Sequence, residues 1–180
     1  MNMDTIKKTL EMNSDLSSGI KDNIFELVNI LHSKLPEVDL TNLNNRLATL
    51  KVKKLNKFMS NNASMYDNIT NTLYFNNEKI NGECDVRHML MFEILNISSS
   101  TDTQKGFIKD GKFEALNVGF TEILTNFLVG NTSDTPCYEE QAIETNLISI
   151  IIGSDIMKQA YFTNNPDLII KGFADAGVQL

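Results

Sequence analysis

Across residues 85–100 the chain reads DVRHMLMFEILNISSS, and its apolar positions recur at steps of three and four. Val86, Met89, Leu90, Phe92 and Ile97 share one broad helical face, with Glu93 and Asn96 set into it. This pattern predicts a buried central helix. Asp85 suits its first turn, where a carboxylate meets the positive end of the helix dipole. Glu93 is the odd member, because a carboxylate between Phe92 and Ile94 is costly to bury without partners. It must lie at an exposed edge, be hydrogen-bonded, or be left over from chemistry.

The same periodicity marks other helices. Residues 4–12 read as a short one. Residues 17–34 read as a longer one, with Ile20, Ile24, Leu27, Val28, Ile30, Leu31 and Leu35 as its apolar stripe. Ser17 or Ser18 caps it, and Pro36 follows its end. His32, near that end, reads as a surface or half-buried side chain. A turn at residues 39–42 leads into a helical turn near 41–46. In the second half, residues 111–128 predict a long helix faced by Phe113, Leu116, Phe120, Ile123, Leu124 and Phe127. Gly119 inside it costs about 1 kcal/mol, so it implies the close approach of another helix, read here as the central one. Residues 138–152 predict a helix that carries Ala142, Ile143, Leu147, Ile148, Ile151 and Ile152 and stops at Gly153. A short helix over 154–162 follows, and Asn165-Pro166-Asp167 opens a last one running to about 175.

Strand patterns are confined to the first half. Residues 49–55, TLKVKKL, alternate, with Leu50, Val52 and Leu55 inward and Lys51, Lys53 and Lys54 outward. Outward lysines discourage edge pairing. Met65-Tyr66 and residues 70–75, TNTLYF, read as further strands. Residues 61–63, 67–68 and 76–79 read as turns, 80–83 as the lead into the central helix, and 98–110 as a polar loop with a lone Phe107. Residues 131–136, NTSDTP, are a loop. The expected fold is α+β and predominantly helical. It is one domain over 1–180, with N-terminal helices in 1–36, a small sheet in 47–80 and a helical region over 84–180.

Charge narrows the function classes. A net charge of −7 and a pI near 4.8 argue against nucleic acid and anionic membranes as partners. No apolar run approaches the roughly 20 residues that span a bilayer, and MNMDTIKKTLEMNSD is not a signal peptide, so a cytoplasmic protein is expected. Cys84 and Cys137 lack framework spacing and read as free thiols. Abundant Asn and the absence of Trp suggest an AT-rich, bacterial-like genome.

Two stretches carry a family resemblance. FEILN followed by ISSS, at residues 92–100, resembles the H-E-x-x-H helix of gluzincin-type zinc metallopeptidases. ALNVGFTEILT, at residues 115–125, is similar to their downstream helix A-L-N-E-G-x-T-E-x-L-T, whose first Glu is the third zinc ligand. The resemblance spans residues 66–162. It implies a zincin-like fold in which a small sheet packs on the central helix and residues 73–75 lie near the substrate groove. Phe92 and Asn96 then stand at the two His positions and Val118 at the ligand Glu, while Glu93 matches the general base and Glu122 the acid one turn beyond the third ligand. The ligands themselves are gone: Phe92 and Val118 offer no lone pair, and His32 and His88 are the only histidines. The expectation is a catalytically inactive metallopeptidase-like domain, without metal or cofactor, that acts by binding another protein.

Other readings draw on nearby residues. Cys84 and His88, four apart, are candidates with Glu93 and Glu122 for the displaced ligands of a metal-dependent hydrolase, or with Cys137 for a substitute metal site. Cys84 with His88 is also a possible nucleophile pair, although no orienting third group is visible. Glu93 and Glu122 could face each other as paired carboxylates. A structural or assembly subunit with peptidase ancestry is a further alternative. The oligomeric state is open.

Overall fold

The computed structural model describes residues 2–55, 63–76, 85–130 and 138–178. Cys84, Cys137, the turn residues 61–62 and 77–79, the 80–83 lead and the 131–136 loop lie outside the described residues. The chain begins with α1 (Met3–Met12), α2 (Ser18–Lys34) and α3 (Thr41–Leu47). Asn2 caps α1 through its side chain, which accepts the Asp4 amide at 3.0 Å. Asp39 plays the corresponding part before α3, accepting from the Thr41 amide and hydroxyl at 2.9 and 2.6 Å. Those Thr41 bonds hold the Asp39 carboxyl below its ordinary range.

The sheet is small and mixed. Its strands are β1 (Lys51–Lys54), β2 (Ser64–Asp67) and β3 (Thr72–Phe75), in the order β1-β3-β2. β1 runs parallel to β3 and β2 antiparallel to it, with Val52 opposite Leu73 and Tyr66 opposite Leu73 from the other side. Lys51, Lys53 and Lys54 are exposed along the β1 edge, as the alternation predicts, while Leu50 and Leu55 at its ends are buried. β3 is the middle strand. β2 packs against the helix that follows the sheet.

That helix is α4 (Val86–Ser98). Asp85 is its N-cap, accepting the amides of Arg87 and His88 at 2.9 and 3.3 Å. Every residue from His88 to Ser98 is buried, whereas Val86 is exposed. The single broad face read from the sequence is thus replaced by burial around the whole girth, as a nearly all-apolar helix requires. α2, α3, β2 and α5 (Glu114–Val129) supply the cover.

The chain closes with α6 (Glu139–Ile152), α7 (Ser154–Phe162) and α8 (Asp167–Asp175). Gly153, at φ 94°, ends α6 in a conformation that side chains rarely adopt. A continuous cluster of buried apolar side chains runs from Ile6 to Ile169. Phe107 belongs to it rather than to a polar loop: its ring lies 5.4 Å from that of Phe120 and 5.3 Å from that of Tyr161. The Asn117 side chain accepts the Phe107 amide at 3.0 Å and draws the loop onto α5.

One expectation for α5 is corrected. Gly119 does permit a close helix contact, but with α6, since a Cβ there would fall on the Gln141 carbonyl and Thr145 Oγ1. Helix α6 consequently turns Gln141, Thr145 and Ile152 inward. Ile143, Leu147 and Ile151, apolar positions of the predicted helix, are exposed together with Ile150. Close backbone approach favours small and polar side chains at the seam, so the bulky row faces out.

Candidate functional site

Helices α4 and α5 carry the residues of interest, and their relative course follows from two links. His88, in the first turn of α4, meets Glu122 in the second half of α5 and Gly130 just past its end. At the other end of α4, Ser99 accepts the Gly106 amide, and the next residue, Phe107, is held by Asn117 in the first turns of α5. The two helices therefore run antiparallel. One turn on from His88 is Phe92, and one turn back from Glu122 is Val118, so those turns face each other.

His88 and Glu122 form the first cluster. The His88 Nδ1–H donates to the Gly130 carbonyl at 2.8 Å, and Nε2 lies 3.0 Å from Glu122 Oε2. The Asn126 amide donates to Glu122 Oε1 at 3.1 Å. Gly130 can only accept, which places a proton on Nδ1, and the carboxylate opposite calls for a second on Nε2. Burial works against that charge. The Glu122 carboxylate and the Gly130 carbonyl outweigh it, and the His88 pKa lies above its ordinary value. The pair is a buried hydrogen-bonded clamp, ionic when His88 is protonated, between the start of α4 and the middle of α5.

Glu93 forms the second cluster, on the side of α4 turned to the sheet. It is 2% exposed. Ser64, at the start of β2, donates its hydroxyl to Glu93 Oε1 at 2.7 Å, and Asn96 donates its side-chain amide to Oε2 at 3.0 Å. Burial raises the Glu93 pKa, opposed by the Ser64 bond and by the charge of Lys105. Of the three readings of Glu93, hydrogen bonding is the one observed. The other amide atom of Asn96, Oδ1, is buried without a partner.

Phe92 is buried between these clusters. Its ring stacks on that of Tyr138, with centroids 5.3 Å apart and planes at 26°. Tyr138 immediately precedes α6 and has φ 53°, a left-handed conformation. Val118 is half-buried on α5.

The predicted residues are thus brought together only in part. His88 and Glu122 touch. Glu93 does not pair with Glu122; it is bound on the sheet side by Ser64 and Asn96. Among the described residues no group of three His, Cys, Asp or Glu side chains is arranged to hold a metal ion. Cys84, part of the displaced-ligand and nucleophile readings, lies outside the described residues. Ser64 and Tyr138 were missed by the sequence reading, because neither belongs to a motif and each reaches its partner across the fold. Arg46 was also missed. It is buried in α3 and donates to the Ser100 and Asn68 carbonyls, the Tyr66 hydroxyl and Asp102, fastening α3 to the sheet and to the loop after α4.

Compared with known proteins, the chain matches no family model, no curated protein and no solved structure. Among the described residues no helix is long and apolar enough to cross a membrane.

Proposed function

We propose that this chain is a zincin-like scaffold that has lost its metal chemistry and works by binding another protein. The observation that carries the reading is the antiparallel clamp of α4 and α5 through His88 and Glu122. It sets the turns of Phe92 and Val118 face to face, which is the juxtaposition the two halves of the metallopeptidase resemblance require. Support for lost chemistry comes from the side chains in those positions. Phe92 and Val118 have no donor atom, and Asn96 offers a weak amide oxygen where an imidazole would bind. Glu93, in the position of the general base, is engaged by Ser64 and Asn96. A carboxylate with no metal-polarised water beside it has little to deprotonate near neutral pH. Support for binding comes from the large apolar side chains that α6 leaves in solvent.

The test is zinc titration of the natural protein beside the triple variant Phe92→His, Asn96→His, Val118→Glu. Protein purified without chelator is expected to carry far less than one zinc per chain, and the triple variant to bind zinc measurably with little or no peptidase activity. Binding needs only converging ligands, whereas turnover also needs positioning around them. Stoichiometric zinc in the natural protein, or equal and negligible affinity in two folded proteins, would overturn the reading.

A further inference from the structure

The outer face of α6 carries a row of large apolar side chains. Ile143, Leu147, Ile150 and Ile151 are 58, 58, 71 and 46% exposed. Their spacing of four, three and one places all four on one side of the helix, opposite the inward Thr145 and Ile152. The row exposes on the order of 400 Å² of apolar surface, the scale of the largest patch on an ordinary monomer. The helix that bears it is charged with one sign. Helix α6 carries Glu139, Glu140 and Glu144, all exposed, and no Lys or Arg. Glu140 and Glu144 lie about two turns before Leu147 and Ile151 respectively, on the same side of the helix, so acid borders the row at its N-terminal half.

We propose that this face docks an amphipathic helix of a partner protein, its apolar row laid along Ile143, Leu147, Ile150 and Ile151 and its lysines or arginines paired with Glu140 and Glu144. It rests on the protein-binding reading above and supplies the surface and the partner chemistry. Two features select this occupant over a second copy of the chain. The row offers about half of the roughly 800 Å² that each side of a stable standard interface contributes. Self-association would also bring together two chains of net charge −7 across a glutamate-bordered helix. A single helix needs only the row and its border, and positive charge at one end meets the acid that repels another copy.

The test uses the full chain and a labelled peptide of leucines and lysines at helical spacing, about 18 residues long so that it can be helical when bound. A matched peptide carries glutamate in place of lysine. Fluorescence anisotropy is expected to show saturable one-to-one binding of the lysine peptide and at least about tenfold weaker binding of the glutamate peptide. Leu147→Ser with Ile150→Ser should weaken binding about tenfold or more. Glu140→Gln with Glu144→Gln should weaken it several-fold and flatten its salt dependence. Met12→Ser removes an exposed apolar side chain on a different helix, 85% in solvent, and should change nothing. All of these positions are exposed, so the variants should fold, with unchanged circular dichroism and melting as the check.

Equal binding of both peptides, or equal loss in the Met12 variant, would mean generic stickiness and would overturn the proposal. So would a natural dimer in sedimentation that Leu147→Ser disperses, or Leu147-dependent binding to anionic lipid vesicles. Zinc binding by the triple variant is independent of this face. Failure of the peptide test alone removes the docking site and leaves the scaffold reading in place, and the converse also holds.

Discussion

Replacing Gly119 by alanine probes the contact that orients α6, and with it both Tyr138 and the outer apolar row. In an exposed helix interior the change would stabilise by about 1 kcal/mol, because alanine loses less backbone entropy on folding. Here the added Cβ would stand 2.6 Å from the Gln141 carbonyl carbon and closer still to its oxygen. A backbone carbonyl cannot rotate aside as a side chain can, so α5 and α6 must separate. Overpacking of this kind costs about 1–3 kcal/mol, and the upper half of that range applies when backbone must move. The expected net loss is about 1–2 kcal/mol, or a urea midpoint lower by roughly 0.5–1 M at an ordinary slope. Gly19, in the first turns of α2, is the internal control: a Cβ there meets nothing within 4 Å. Gly19→Ala should raise stability by about 0.5–1 kcal/mol. The assay is urea denaturation followed by circular dichroism on both variants. Gly119→Ala stabilising the protein as much as Gly19→Ala would show that the two helices are not in close contact, and the outward row on α6 would lose its explanation.

Three further outcomes are expected. Phe92→Ala should cost about 3–5 kcal/mol, since it empties a buried site and removes the stack on Tyr138; a loss below about 1 kcal/mol in the same assay would mean an exposed Phe92. The His88 clamp should make stability pH-dependent. A pKa raised by folding means that its contribution is fully present below the ordinary histidine value and is lost as pH rises through the higher folded value. Natural protein minus His88→Gln, measured by denaturation from pH 5.5 to 9, should therefore show a difference that shrinks with pH, and a flat or growing difference would contradict the ionic pair. Arg46→Met should destabilise by about 2–4 kcal/mol, because it removes largely buried bonds to the Ser100 and Asn68 carbonyls and the Tyr66 hydroxyl, leaving Ser100 only its bond from Asn42; a loss within about 0.5 kcal/mol would show that water replaces those bonds readily.

The amino-acid sequence by itself determined where the elements lie, since the signals that start and stop them are local. Asn2, Asp39 and Asp85 bond amides two or three residues on, Gly153 ends α6, and the alternation around β1 separates lysines from leucines. It also marked Gly119 as a close approach and Glu93 as an anomaly, because both break a local rule of helix composition. Tertiary structure alone decided what each of them meets. Periodicity reveals that a helix has an apolar side, but not whether anything covers it: α6 packs against Gly119 through Gln141 and Thr145 and leaves Ile143, Leu147, Ile150 and Ile151 outside, while α4 is covered all round. The partners of the candidate residues come from far along the chain, Ser64 for Glu93, Glu122 and Gly130 for His88, Tyr138 for Phe92. Such contacts depend on how whole elements are set against one another, and that is settled by the packing of all their faces at once, which no local pattern encodes.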